Sequence, residues 1–403
     1  MEPPPVTNGL VIAGYFPNWA IYARNFNVCD LAVSAQKLTH VLYAFANFQE
    51  DGTVILGDVW ADKDKHFPPE QTINGKADSW NEGDANLYGN FKQFYLLKQK
   101  YRHLKVSLSI GGWTWSTNFS VVAADPAKRA VFVKTAIRHL ANLGLDGIDI
   151  DWEFPKDDKD AFHYVHLLYE LRIALDMYQQ SLGQTNQPRL ILSVAVPCGP
   201  SKYKLLRLQQ MAPYVDIFYL MAYDFAGSWD TNAGHQSAMY GGALNVHQAI
   251  EGYISGGVPP HKIVMGMPAY GRGFLNTNGP NTRYDGLPEG SWEKGMYDYK
   301  HLPPPGHTEH HDMEILASWC YCPEKRELIT YDSPYITQAK CDYIKQRQLG
   351  GAMVWELSAD HPGDHPRCLL NVLYDSFAGN TDTMPNHLDY PSSGFNNLKG
   401  HMK

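Results

Sequence analysis

Eight short runs rich in β-branched and aromatic residues recur along the chain. They are Val11–Tyr15, His40–Ala46, Lys105–Ile110 and Asp146–Trp152, then Leu190–Val196, Asp216–Ala222, Ile263–Pro268 and Ala352–Trp355. Helical stretches such as Ala127–Leu143, Lys159–Tyr178 and Asn245–Ser255 lie between several of them. In the first of these, Val131, Ala136, Ile137, Leu140 and Leu143 fall at roughly helical spacing. Eight alternations of strand and helix predict an α/β fold whose parallel strands close into a (β/α)8 barrel of the TIM type, rather than an open sheet. Such a barrel takes about 250 residues. The chain has 403, so insertions and a tail must account for the rest.

Three spacings show where that extra length goes. Glu50–Asn90 is a polar connection too long for an ordinary loop. Gly271–Ser333 separates the seventh and eighth runs by far more than one helix. Within it, Ser318–Cys322 and Leu328–Tyr331 flank Pro323–Glu327, the pattern of a hairpin. The expected organisation is a first barrel part over 1–272, a small α+β insertion over 273–333, the last strand and closing helix over 334–378, and a tail over 379–403 that wraps the surface. His301, His307, His310 and His311 stand beside three prolines, and the context suggests a flexible turn rather than a metal site. Cys320 and Cys322 resemble half of a zinc site, but no second pair at zinc spacing follows. No metal and no cofactor are expected.

Composition narrows the partners. The formal charge is −8, so binding to a phosphate backbone has no electrostatic support and no nucleic-acid partner is expected. No run of 18 apolar residues exists, so no membrane span is expected. The chain opens Met1-Glu2-Pro3-Pro4-Pro5-Val6, which is not a charged start followed by an apolar core. Secretion after removal of a signal and an intracellular place both fit that start. A monomer is expected. A neutral or hydroxyl-rich partner is easier to accept, and among the 25 Tyr, 16 Phe and 10 Trp some should be core while so many also suit stacking on flat apolar ligand faces.

The strongest chemical signal is the octet Asp146-Gly147-Ile148-Asp149-Ile150-Asp151-Trp152-Glu153. On a strand, residues two apart share a face, at about 6.8 Å per step. With Ile148, Ile150 and Trp152 turned to the helices, Asp149, Asp151 and Glu153 project into the barrel. Three acids in one buried column cannot all ionise cheaply, so one is a neutral acid near neutral pH. Glu153, furthest along, falls at the C-terminal mouth, where such barrels keep their chemistry. A protonated carboxyl there is a general acid. A buried polar network or a hard-cation site also gathers carboxylates, but neither needs them all on one face of one strand ending at a barrel mouth.

Around this octet the sequence resembles the glycoside hydrolase family 18 chitinases, whose pattern Asp-x-x-Asp-x-Asp-x-Glu is met by Asp146, Asp149, Asp151 and Glu153. Ser107-Leu108-Ser109-Ile110-Gly111-Gly112-Trp113 resembles the family's third-strand motif. Met221-Ala222-Tyr223-Asp224 resembles that of the sixth strand, and Gly350-Gly351-Ala352-Met353-Val354-Trp355 that of the eighth. Gly14-Tyr15-Phe16, Tyr43-Ala44-Phe45 and Tyr270-Gly271-Arg272 match as well. The insertion before the last strand fits the class V, or bacterial-type, branch. Ser291-Trp292-Glu293 and Leu388-Asp389-Tyr390-Pro391 are similar to fungal members.

The resemblance implies retaining hydrolysis of chitin and N-acetylglucosamine oligosaccharides with help from the substrate, an exception to the usual two-carboxylate scheme. Glu153 would be the general acid and then base, Asp151 the partner of the acetamide N–H, Asp149 its support, and Tyr223 the donor to the acetamide carbonyl. Trp355 would floor the site, with Met221 and Met353 lining it as core. Asp224, just off the strand, would reach sugar or acetamide. Tyr15, Phe45 and Trp113 would line the pocket, and Tyr270, Arg272 and Glu293 would bind from the insertion side. Trp115, Trp229, Trp292 and Trp319 are candidates for extending the cleft. The competing reading is a lectin-like protein that binds chitin oligosaccharides without cleaving them; such proteins lose the acid, and Glu153 is present.

Overall fold

A computed structural model describes residues 6–402 apart from 82, 84 and 184–186. Strands β1 (Val11–Pro17) and β2 (His40–Phe48) are followed by β3 (Val54–Leu56), which turns back antiparallel on β2. Strands β4 (Lys105–Gly111), β5 (Gly147–Asp151), β6 (Ile191–Pro197), β7 (Ile217–Met221) and β8 (Ile263–Pro268) come next. The insertion holds β9 (Tyr270–Phe274), β10 (Met296–Asp298), β11 (Thr308–Asp312), β12 (Ala317–Cys322) and β13 (Glu327–Thr330), and β14 (Gly351–Trp355) ends the series. Eight of these are the predicted runs, and they pair in parallel in the order β1-β14-β8-β7-β6-β5-β4-β2, with β2 returning to β1. The barrel is closed.

Alternation along each strand separates two cores. Val11, Ala13 and Tyr15 of β1 pack inside with Leu42, Tyr219, Val264 and Met353. Ile12 and Phe16 face the outer layer of helices, as do Ile148 and Ile150 of β5. The helix Pro126–Leu143 starts where Asp125 accepts from the N–H groups of Ala127 and Lys128, and it stops at Gly144 in the left-handed region. The helix Asp158–Ser181, capped by Asp157, follows directly on the segment bearing Glu153.

The insertion is a five-stranded antiparallel sheet in the order β10-β9-β13-β12-β11 that begins at Tyr270, three residues before the expected start, and its helical part is the 3₁₀ turn Tyr299–His301. The expected hairpin is β12 and β13. The histidine segment is more ordered than its prolines suggest, because the turn ends before Thr308. His310 and His311 stand on strand β11, where His310 stacks on Trp319 at 5.5 Å and His311 Nε2 lies 2.8 Å from Ser333 Oγ. Trp319 therefore packs within the insertion.

The tail crosses the N-terminal foot of the barrel. Leu10 bridges to Thr381, Asp382 Oδ2 lies 2.5 Å from Lys105 Nζ, and the His387 N–H donates to Asp146 Oδ1 at 2.7 Å. Lys98 Nζ sits 2.8 Å from the other oxygen of Asp146. The first acid of the octet is thus a buried structural anchor, at the opposite end of the strand from Glu153.

Candidate active site

The acid column follows from strand parity and ends one step beyond it. Asp149 and Asp151 lie on β5, buried, and Glu153 follows just past its end. The register Ser109↔Asp149↔Ser193 puts a small hydroxyl on each neighbouring strand level with Asp149. Ser193 Oγ donates at 2.6 Å, Ser109 Oγ at 2.7 Å and Tyr15 Oη at 3.0 Å to its carboxylate. Asp151 has no such cage, and its Oδ1 is buried without a partner. The Glu153 N–H donates to Ser116 Oγ at 2.8 Å, and the Trp113 N–H donates to its carboxylate.

The two glycines before Trp113 make that last contact possible. Gly112, at φ 81°, gives its N–H to the Asp151 carbonyl at 2.8 Å, and a Cβ there would lie 2.8 Å from the Phe45 ring. Only glycine accepts this backbone in this space.

Burial decides the protonation of the column. Removing a carboxylate from water is costly, and in a fully buried place that cost can exceed what its hydrogen bonds return. Desolvation accordingly raises the Asp149 pKa despite its three donors. Asp151 is raised well above the ordinary range by desolvation, then by the charges of Glu153 and Asp149. Glu153 is raised to about 7 by desolvation and then by Asp224. Near neutral pH the column therefore holds protons, and Glu153 is poised to give one up. Burial raises the Tyr223 phenol well above 10, so it is a neutral donor.

A cleft of about 1040 Å³ opens above the column, at the upper end of the range for small-molecule sites, about 300–1,000 Å³. Asp151, Glu153, Met221, Tyr223 and Asp224 line its base. Tyr15, Phe45, Trp113 and Trp355 line its aromatic side, and Arg272 and Glu293 reach it from the insertion. Three predicted residues stand behind this surface. Asp149 is fully buried, Met353 belongs to the inner core, and Tyr270 acts through Asp224, to which its hydroxyl donates at 2.5 Å. Arg272 Nε donates to the same oxygen at 2.7 Å.

Trp115 and Trp229 also line the cleft, as do Trp19, Phe154, Cys198, Lys202 and Leu244, which sequence reading missed. Trp19 and Cys198 carried a usable signal, since both closely follow the ends of β1 and β6 at the mouth. Leu244 carried none, because it sits on the long connection after β7. Ser193 was legible as a lone hydroxyl inside an apolar strand.

The electrostatics give a pH prediction. A general acid must be protonated, so kcat/KM is expected to fall as pH rises through about 7, the Glu153 value. The Asp224 charge opposes ionisation of Glu153, so Asp224→Asn is expected to move this alkaline limb to lower pH. A limb that stays in place or moves upward in a pH–rate profile would contradict the coupling.

Comparison with known proteins gives the family and the fold. The family described as Glycosyl hydrolases family 18 matches residues 11–360. Over 401 residues, 98% of this chain and 91% of the relative, the sequence is 43% identical to Endochitinase 1 of Metarhizium robertsii. It is 42% identical to Chitinase 1 of Aphanocladium album, over 97% of this chain and 91% of that protein. The catalytic domain of psychrophilic chitinase B from Arthrobacter TAD20 superposes with a TM-score of 0.85 at 30% identity, covering 95% of this chain and 99% of that one.

Proposed function

The chain belongs to glycosyl hydrolase family 18, and from that premise we propose that it is a chitinase working by substrate-assisted retention. It hydrolyses β-1,4 bonds in polymers and oligomers of N-acetylglucosamine. The observation that carries the reading is the acid column: one carboxyl at the barrel mouth poised near neutral pH, above two buried acids, beneath an aromatic cleft.

Glu153 gives its proton to the glycosidic oxygen as the bond to the anomeric carbon breaks. The acetamide carbonyl oxygen of the same sugar forms the new bond to that carbon, giving a cyclic oxazolinium. Tyr223, a neutral donor, hydrogen-bonds the carbonyl and fixes its line of attack. Asp151 accepts the acetamide N–H and faces the positive charge as a carboxylate. Its proton moves to Asp149, whose three hydroxyl partners can each donate or accept. Glu153, now charged, takes a proton from water, and the water oxygen attacks the anomeric carbon and opens the ring. Two displacements retain the configuration.

The test is hydrolysis of chitin oligomers followed at once by NMR of the new reducing ends. The β anomer should appear first, and cellulose oligomers, which lack the acetamide, should remain uncut. An α anomer appearing first, or cellulose cleaved at a comparable rate, would refute the mechanism.

A further inference from the structure

Arg24 follows the 3₁₀ turn Asn18–Ile21 that carries Trp19. Its Nη1 lies 2.9 Å from Asp298 Oδ1 and 3.3 Å from Glu356 Oε1. The three side chains are mostly buried, with 18%, 5% and 7% of their surface exposed. They come from three separate segments: the connection after β1, the end of β10 in the insertion, and the residue after β14. The other oxygen of Asp298 accepts the Trp292 indole N–H at 2.8 Å, and the Arg24 guanidinium lies 5.0 Å from the Trp292 ring. Lys300 Nζ stands 3.6 Å from Asp298, and Glu356 also accepts from the N–H and Oγ of Ser358.

Each anchor is tied to a cleft residue, along the chain or through Trp292. Trp19 precedes Arg24 on the same short segment, Glu293 follows Trp292, and Trp355 precedes Glu356. Trp19, Phe45 and Trp355 form a continuous aromatic row, with centroids 6.2 and 5.8 Å apart. Arg24, Asp298 and Glu356 do not themselves line the cleft. One cation therefore joins the wall, the insertion arm and the floor from behind.

We propose that Arg24 is a positioning residue for chain length: it locks Trp19, the Trp292–Glu293 arm and Trp355 at a spacing that binds sugars beyond those next to the bond being cut. The inference rests on the chitinase reading and adds a determinant of specificity to it. Without Arg24, Glu356 loses its ion-pair partner while Asp298 keeps only the Lys300 cation at 3.6 Å, and a buried carboxylate left so costs free energy unless the segments separate or a proton is taken up. Separated segments must then be ordered again when sugar binds, so affinity for long chains falls while the chemistry at Glu153 is spared.

The experiment compares Arg24→Ala and Arg24→Lys with wild type on two substrates, the N-acetylglucosamine pentamer and a chromogenic glycoside of the dimer. For Arg24→Ala the pentamer KM should rise about tenfold, with its kcat within about twofold and the dimer glycoside little affected. Arg24→Lys should restore part of the loss, since it keeps the charge without the guanidinium's place over the Trp292 ring. In a Trp292→Ala background, Arg24→Ala should add little further, because the two act through one arm. Equal losses on both substrates, an unchanged pentamer KM, or additive effects with Trp292→Ala would overturn the proposal. Should Arg24→Ala fail to fold, Glu356→Gln removes one charge of the clamp with little change of shape. A raised pentamer KM in that variant supports the clamp and an unchanged one refutes it. A wild-type protein that cleaves neither substrate would defeat the chitinase reading itself.

Discussion

Replacing Glu153 by Gln should lower kcat by about 10²–10⁴-fold, the range for loss of a general acid–base group. Affinity for chitin oligomers should be nearly unchanged. The amide has the shape of the acid and keeps its position against the Trp113 N–H, but it has no proton to give to the leaving oxygen. It also cannot take one from water in the second step. The two readouts are single-turnover kinetics and binding of the oligomer to the inactive variant. Near-normal turnover would remove Glu153 from the chemistry. Wild-type protein that binds oligomers without cutting them would instead favour the lectin-like alternative.

Asp151→Asn should cost about 10²–10³-fold in kcat, the scale seen when one group stabilising transition-state charge is removed. In the proposed mechanism the side chain faces the developing oxazolinium, and an amide offers it no compensating charge. Stability should not fall. Asp151 is buried beside two other acids and has an unpartnered oxygen, so a neutral isostere relieves a strained arrangement rather than breaking a favourable one. Urea unfolding of the variant checks this directly. A loss of stability together with a small loss of rate would mark Asp151 as structural and would undermine the column as a catalytic device.

Much of the fold was legible because its physics is local. Eight runs of strand-forming residues with helical spacing between them leave few arrangements, and all eight appear as barrel strands. Parity placed Asp149 and Asp151 inside the barrel without reference to any neighbour. The walls of the cleft were legible in part. Trp113, Tyr223 and Trp355 sit at strand ends, where the barrel must present them. Lys202 and Leu244 reach the same cleft from longer connections, whose paths depend on what they pack against. The role of Asp146 was hidden for the same reason. It belongs to the same octet as the acids of the column, yet its partners are Lys98 and the tail residue His387, which lies far along the chain.

The sequence by itself determined the barrel, the inward column of acids and the identity of the group at its mouth, because strand periodicity and residue chemistry act over a few residues. Only the tertiary structure decided how those acids are charged and which segments hold the cleft together. The poise of Glu153 near neutral pH comes from burial and from Asp224 on another strand end. The seat of Asp149 comes from hydroxyls on three other strands. The link from Trp19 to Trp355 runs through Arg24, Asp298 and Glu356, which come from three separate segments and meet only because the barrel closes. Desolvation and ion pairing depend on distance in space, and spacing along the chain does not reveal it.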